Sequence, residues 1–308
     1  MKTHTLAALL ATTLLLFGCC PKAQTPQYIT TEGTRLIKDG KPYTFMGCNM
    51  WYASILGSEG VGGDRERLCH ELDQLKELGI TDCCRFHITD EPGEEFIPTY
   101  LKEKAQAEPY LEGMKMMDAL SHFEFYKQGA VDYPVPATNA GDLPLFLESD
   151  VPEKWVYYCC GQDKNVSNRF IAMPSSRTRI LGVQLFRYKI AGFLQWGFNF
   201  YNSVLSRKKI DPFAVTDGGD TFPAGDPFIV YPGEKGQPLE SIRYMVFRQG
   251  IQDMRALELL EELAGRDTVE AIIAEGLEEE LTLTRYPRDN AYLHTLRQRV
   301  NAEIEKRM

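Results

Sequence analysis

The stretch Phe86-His87-Ile88-Thr89-Asp90-Glu91-Pro92 holds the residues best suited to chemistry. An apolar run ends in two adjacent carboxylates, and the proline after them stops further sheet pairing. Two carboxylates in unlike surroundings can divide the work, one as a protonated acid and one as an ionised partner. If the run is a strand of a parallel barrel, its carboxyl end lies on the active-site face. Side chains alternate along a strand, but the chain leaves the sheet here, so both groups can turn the same way. A second reading stands beside this one. Thr89 or Asp90 could cap a helix whose first turn holds Pro92, with Glu94 and Glu95 favouring its dipole.

Other residues could line a binding cleft. Trp196 could stack on the apolar face of a ligand ring, and Asn199 could hydrogen-bond its polar groups. Together with Tyr201 they recur at roughly the spacing of a strand, near its carboxyl end. Core packing explains them equally well, as it does Tyr158. His87 could touch a ligand's hydroxyls or be a hydrogen-bonded core histidine. Asp118 and Ser121 end a further expected strand and are weaker candidates. No C-x-x-C and no His/Cys cluster at metal spacing occurs, so neither a metal nor an organic cofactor is expected. The cysteines Cys48, Cys69, Cys83, Cys84, Cys159 and Cys160 read as small apolar side chains on strands.

These groups need a scaffold, and the pattern suggests one. Thr34–Tyr43 predicts a hairpin turning at Asp39-Gly40. Strands are expected at Thr44–Met50, Asp82–Thr89, Met114–Leu120, Trp155–Cys160, Phe193–Phe200 and Phe228–Tyr231. Val131–Pro136 is weakened as a strand by its two prolines. Leu68, Leu72, Leu75 and Leu78 mark an amphipathic helix that Gly79 stops. Ser175–Lys189 predicts another helix, and the chain from Ser241 onward is mostly helical. Strands alternating with helices imply α/β architecture with a parallel sheet. A closed eight-stranded barrel needs more strands than these, so the expectation is a TIM-like (β/α) barrel that is incomplete or hybrid.

Composition narrows the class. The 308 residues are 44% hydrophobic and 25% charged, which suits a globule with a large core. The net charge of -9 and the lack of a basic run exclude a nucleic-acid partner as the expectation and favour a neutral substrate over a polyanion. At the amino terminus, Lys2 precedes an apolar run from Leu6 to Phe17, too short to span a membrane of ~30 Å hydrocarbon thickness. It reads as a secretory signal over residues 1–18. Leu16-Phe17-Gly18-Cys19 resembles a bacterial lipobox, which implies a lipid anchor at Cys19 and a periplasmic or cell-surface lipoprotein. Residues 19–31 form a polar linker.

Several ordered blocks carry a family resemblance. They are Asp90-Glu91-Pro92, Trp155 to Cys159, Asn168-Arg169-Phe170, Gly192 to Tyr201, Phe228 to Gly233, Ser241-Ile242-Arg243 and Arg248 to Asp253. Over residues 86 to about 301 the chain resembles the catalytic domain of glycoside hydrolase family 123, the β-N-acetylgalactosaminidases. The resemblance implies that Glu91 is the general acid/base and that Asp90 holds and polarises the substrate's 2-acetamido group. The acetamido oxygen would then attack the anomeric carbon, a substrate-assisted route that retains configuration. The implied partner is a glycan.

Residues 28–81 resemble something else, the start of a family 5 β-mannanase. The matching pieces are Gly40 to Tyr43, Asn49-Met50-Trp51-Tyr52 and Gly63 to Leu68, with Asn49 and Trp51 as candidate cleft residues. A mannanase needs a later nucleophilic glutamate, and none stands at a suitable strand end. The chain therefore reads as a mannanase-like opening over 32–85 joined near 82–86 to a family 123-like portion over 86–308. The alternatives to a galactosaminidase are an inert or sugar-binding remnant and, last, a mannanase.

Overall fold

The computed structural model describes residues 56–77, 84–111 and 113–308, together with the backbone of three short strands between residues 30 and 43. The chain divides into two compact units, Met1–Glu77 and Leu78–Met308. The signal segment, Cys19, Asn49, Trp51 and the strand expected at Thr44–Met50 lie outside the described residues.

In the first unit, β1 (Thr30–Glu32), β2 (Arg35–Lys38) and β3 (Lys41–Tyr43) form an antiparallel sheet in chain order. Lys38 pairs with Lys41, which leaves the two residues Asp39-Gly40 to connect β2 and β3, as the hairpin pattern requires. Helix α1 (Arg65–Glu77) begins where the Asp64 carboxylate accepts the Arg67 N–H at 3.0 Å. The helix forms where its leucine spacing predicts, but none of its described residues is buried, and Leu72 is exposed.

The second unit is built on parallel strands. β4 (Arg85–Phe86), β5 (Lys115–Ala119) and β6 (Tyr133–Val135) pair in chain order, and so do β7 (Trp155–Tyr157) and β8 (Gly192–Leu194). A parallel bridge between Ala137 and Tyr157 joins the two sets. Between these strands run α2 (Ile97–Ala107), α3 (Glu124–Lys127), α4 (Leu143–Glu148), α5 (Ser175–Arg179) and α6 (Leu181–Arg187). Five parallel strands in chain order with helices between them are repeated βαβ units. Among the described residues no ladder joins β8 to β4.

The strand at Tyr133–Val135 corrects the doubt that its prolines raised. The ladder there uses carbonyls: Val135 O accepts from Leu120 N at 3.1 Å, and Pro136 O accepts from Tyr157 N at 3.0 Å. A missing proline N–H removes none of these bonds. The strand expected over Phe193–Phe200 is shorter, ending at Leu194. β9 (Val230–Pro232) pairs antiparallel with β10 (Pro238–Glu240) and does not extend the parallel run.

Helices α7 (Ile242–Ala264), α8 (Arg266–Ala274) and α9 (Asn290–Glu305) complete the unit. Ser241 Oγ caps α7 by accepting from Tyr244 N at 3.1 Å, and Asp289 caps α9 through Ala291 N and Tyr292 N at 2.8 and 3.2 Å. Ala256, Leu257 and Leu260 of α7 share one face by their spacing, and so do Leu293, Leu296 and Val300 of α9. With Ile180, Val183 and Phe186 they form the largest apolar cluster. A second cluster, Ile97, Tyr100, Met116, Leu120, Phe125 and their neighbours, lies under α2 and β5.

Candidate active site

Phe86 ends β4, and the chain leaves the sheet over the next five residues. Asp118, at the carboxyl end of β5, is buried, with 1% of its surface exposed. Its Oδ1 accepts from Ile88 N at 3.1 Å and Thr89 N at 3.3 Å. The same carboxylate accepts from His87 Nδ1 and from the buried Tyr100 hydroxyl. Next along β5, Ala119 O accepts the Glu91 N–H at 2.8 Å. The end of β5 thus holds residues 87 to 91 by backbone and side chain together. Glu91 itself takes a left-handed conformation with φ of 47°, which non-glycine residues seldom adopt. Such a turn is costly and persists where surrounding bonds impose it, commonly at functional sites.

The helix-capping reading of this stretch is overturned. The first helical turn after it is a 3-10 helix, Glu94–Phe96, whose cap is Gly93, and no side chain caps it. Asp90 and Glu91 are therefore free for other work, and both are exposed.

The two carboxylates have different surroundings. Glu91 Oε1 accepts a hydrogen bond from the Tyr157 hydroxyl at the carboxyl end of β7, and Cys159 Sγ lies 4.0 Å from the same oxygen. Burial, then the bond to Glu91 and its charge, push the Tyr157 phenol far above its ordinary range. It stays a neutral donor. Burial likewise raises the Cys159 thiol, which stays uncharged. Asp90 lies at the surface, yet the protein packed around it raises its carboxyl above the usual range, and the adjacent Glu91 charge raises it further. His87 acts in the opposite direction on Asp90. The imidazole of His87 is itself raised, first by its hydrogen bond to Asp118.

The structure separates the other expected site residues. Tyr158 is completely buried against Phe193, ring centroids 4.6 Å apart, in a cluster with Leu181 and Leu185. Adjacent strand residues face opposite sides, so Tyr157 and not Tyr158 reaches Glu91. Sequence reasoning singled out Tyr158 and missed Tyr157, for which strand alternation was the available signal. Trp196, Asn199 and Tyr201 do not share a strand face, because the strand stops at Leu194. Gln195 turns back instead, its Oε1 accepting the Gly197 N–H at 2.7 Å. Trp196 is 41% exposed, and its indole N–H donates to the buried Asp226 at 3.0 Å. Asn199 is exposed in an isolated antiparallel bridge with Phe228. Tyr201 donates its hydroxyl to Val230 O at 2.9 Å. Among the described residues, no hydrogen bond or ring contact links these three to the carboxylate pair.

Behind Trp196 lies a polar cluster that sequence spacing does not reveal. Asp226 also accepts from Gln195 Nε2 at 3.1 Å, and the guanidinium of Arg169 donates to Gln195 Oε1 and Gly197 O. Arg243 donates to the carbonyls of Arg169, Gly225 and Phe228 at 3.1, 2.7 and 2.9 Å. Burial raises the Asp226 carboxyl and lowers both arginines. The cluster braces the turn after β8 and ties down the indole that it presents.

Fold and site together define an α/β protein with two adjacent, exposed carboxylates just beyond the carboxyl end of a parallel strand. The catalytic-domain model of glycoside hydrolase family 123 matches residues 68–260. The chain belongs to glycoside hydrolase family 123. Among solved structures it is similar to a family 123 glycoside hydrolase from Clostridium perfringens, studied for glycolipid glycan hydrolysis. The TM-score is 0.54 and the identity 16%, over 77% of this chain and 43% of that one. The chain thus spans less than half of that relative's length, and the likeness is one of fold. No curated protein matches this chain. The family match takes in α1 from Leu68 onward as well as residues 82–86.

Proposed function

We propose that this protein is a retaining glycosidase that cleaves β-linked N-acetylgalactosamine from glycans with help from the substrate's own acetamido group. One observation carries the reading: Asp90 and Glu91 stand exposed side by side, with Glu91 held at one oxygen by a neutral phenol. The second oxygen, Oε2, is left to carry the proton.

Glu91 protonates the glycosidic oxygen as the bond to the anomeric carbon breaks. The acetamido carbonyl oxygen bonds to that carbon from the opposite face, and positive charge develops on the acetamido group. Asp90, as an anion, accepts the acetamido N–H and stabilises that charge. Glu91, now a carboxylate, takes a proton from the water that opens the intermediate. Two inversions leave the configuration retained. The protein supplies no nucleophile, so the carboxylates can be neighbours instead of the ~5 Å pair that flanks the bond in ordinary retaining enzymes. Trp196 would stack on the sugar, with Asn199 at its hydroxyls. The parallel run β4–β8 would belong to a (β/α) barrel, and a glycolipid glycan is the first natural substrate to try.

Hydrolysis of a chromogenic β-N-acetylgalactosaminide tests this. Wild-type protein should turn it over, and Glu91→Gln should lower kcat by ~10² to 10⁴ while folding normally. A folded wild type with no turnover on this substrate or on a glycolipid oligosaccharide ends the reading. Glycan binding without turnover would favour a sugar-binding remnant.

A further inference from the structure

Asp118 is an expensive residue where it stands. A buried carboxylate loses its hydration and must find equivalent partners. Two of its four donors, the Ile88 and Thr89 N–H groups, would be satisfied by any acceptor of that length, asparagine included. The other two are the Tyr100 hydroxyl and His87 Nδ1. All four bonds are strengthened by a charged acceptor, but only the imidazole can answer a full negative charge by becoming a cation, because its protonated form is then favoured. His87 is not a core histidine: its side chain is 56% exposed, three residues before Asp90.

We propose that Asp118 and His87 are a positioning pair for Asp90: the buried carboxylate fixes the turn that carries the catalytic residues and holds the His87 imidazole in that same turn, where its positive charge favours the ionised form of Asp90.

The charges acting on the three groups are consistent with this arrangement. His87 feels Asp118 from β5 and Asp90 from its own loop, both of which favour its protonated form, and it also bonds the Met117 backbone. Asp90 feels Glu91, Asp118 and the burial around it, all disfavouring its anion, and His87 alone opposes them. An ionised Asp90 is what stabilisation of the acetamido charge needs. Without a cation nearby, two adjacent carboxylates would tend to share a proton. The pair would also explain why the turn is built from β5. Asp118 and Ala119 hold residues 87 to 89 and Glu91 respectively, so the cation and both carboxylates move as one unit.

The inference rests on the role given to Asp90 above, and its test separates the two. The full chain has only five histidines, so the His87 ring can be followed through a pH titration by NMR. Its midpoint should lie above the ordinary histidine value, and both Asp118→Asn and Asp90→Asn should bring it down. In kinetics, His87→Gln should lower kcat ~10 to 100-fold, the scale of a misplaced catalytic group. KM should stay within about threefold, since ground-state binding is little touched. The acid limb of the pH–rate profile should move to higher pH, and the loss should be equal for good and poor aryl leaving groups. A merely structural histidine would lower activity without moving that limb. An ordinary His87 midpoint in the wild type, or an unmoved acid limb in His87→Gln, overturns the proposal. Should Asp118→Asn fail to fold, the exposed His87→Gln and Asp90→Asn variants decide. If no N-acetylhexosaminide is turned over at all, the glycosidase reading falls, and a raised midpoint that drops in Asp90→Asn still supports the charge pair.

Discussion

A strained backbone at Glu91, a phenol on one of its oxygens and a crowded aspartate beside it make unequal demands on pH and sequence. The Tyr157 hydroxyl donates to Glu91 while its ring packs with Ala119, Val135 and Ala137. Tyr157→Phe keeps the ring and deletes the bond, so kcat should fall ~10-fold, the worth of one hydrogen bond to a charged group. Steady-state kinetics on the aryl glycoside measure it, and an unchanged kcat would remove Tyr157 from the site. Asp90 carries a signature in stability as well. Its folded carboxyl is raised, first by burial, so the folded state holds its proton at a pH where the unfolded chain has released it. Its favourable contribution is therefore present at low pH and is lost as pH rises through the folded value, starting near pH 4, the ordinary aspartate range. Asp90→Asn should flatten this dependence and leave the protein as stable as wild type at pH 7 or slightly more so, within about 0.5 kcal/mol. It should also abolish turnover. Thermal melts from pH 4 to 7 check the first part, and a steeper fall in stability in the variant would refute it.

At the scale of elements, the packing of helices sets a tight limit at two glycines. A methyl group on Gly182 in α6 would sit 1.8 Å from the carbonyl oxygen of Gly250 in α7, and one on Gly250 would meet Arg179 O at 2.7 Å. The helices cross with backbones touching, so no rotamer can relieve the clash. Gly182→Ala should cost about 1–3 kcal/mol by forcing the helices apart, read as a lower urea midpoint with an unchanged slope. Period and composition could not have announced this, since a glycine inside a helix reads only as a weak point. The elements that were legible had strong local signals: the hairpin around Asp39-Gly40, the capped helix at Ser241, the apolar strands at Lys115–Ala119 and Trp155–Tyr157. Those that were misread depend on partners far along the chain. The prolines of β6 are tolerated because neighbours use its carbonyls, and the aromatic run after Leu194 leaves the sheet because Arg169 and Asp226 hold the turn. For the same reason the carboxylate pair could be picked out of the sequence, whereas the Tyr157 and Asp118 contacts that orient it could not. They join residues 66 and 30 positions apart.

Over the whole second unit, one ionic junction ties three helices that are distant in sequence. Asp253 of α7 accepts from Arg179 of α5 at 2.7 and 3.1 Å and from Arg297 of α9 at 2.9 Å. Asp253 and Arg179 are almost wholly withdrawn from solvent. Such a junction is not a large net source of stability, because charges lose hydration to make it. Its loss is asymmetric, however. Asp253→Asn would leave the Arg179 guanidinium buried without a counter-charge, at a cost of about 3 kcal/mol. For a unit of this size that corresponds to a melting temperature lower by roughly 6 to 12 °C. Replacing Arg179 and Asp253 together by methionine and leucine should recover much of that loss, since the uncompensated charge disappears with the pair. The residues proposed as catalytic belong to the strand ends and not to this helical layer, so kcat of the molecules that remain folded should be preserved in both variants. Melting curves paired with active-site titration separate the two quantities. If Asp253→Asn melts with the wild type, the junction is solvent-screened and the helical layer is held by its apolar cluster alone.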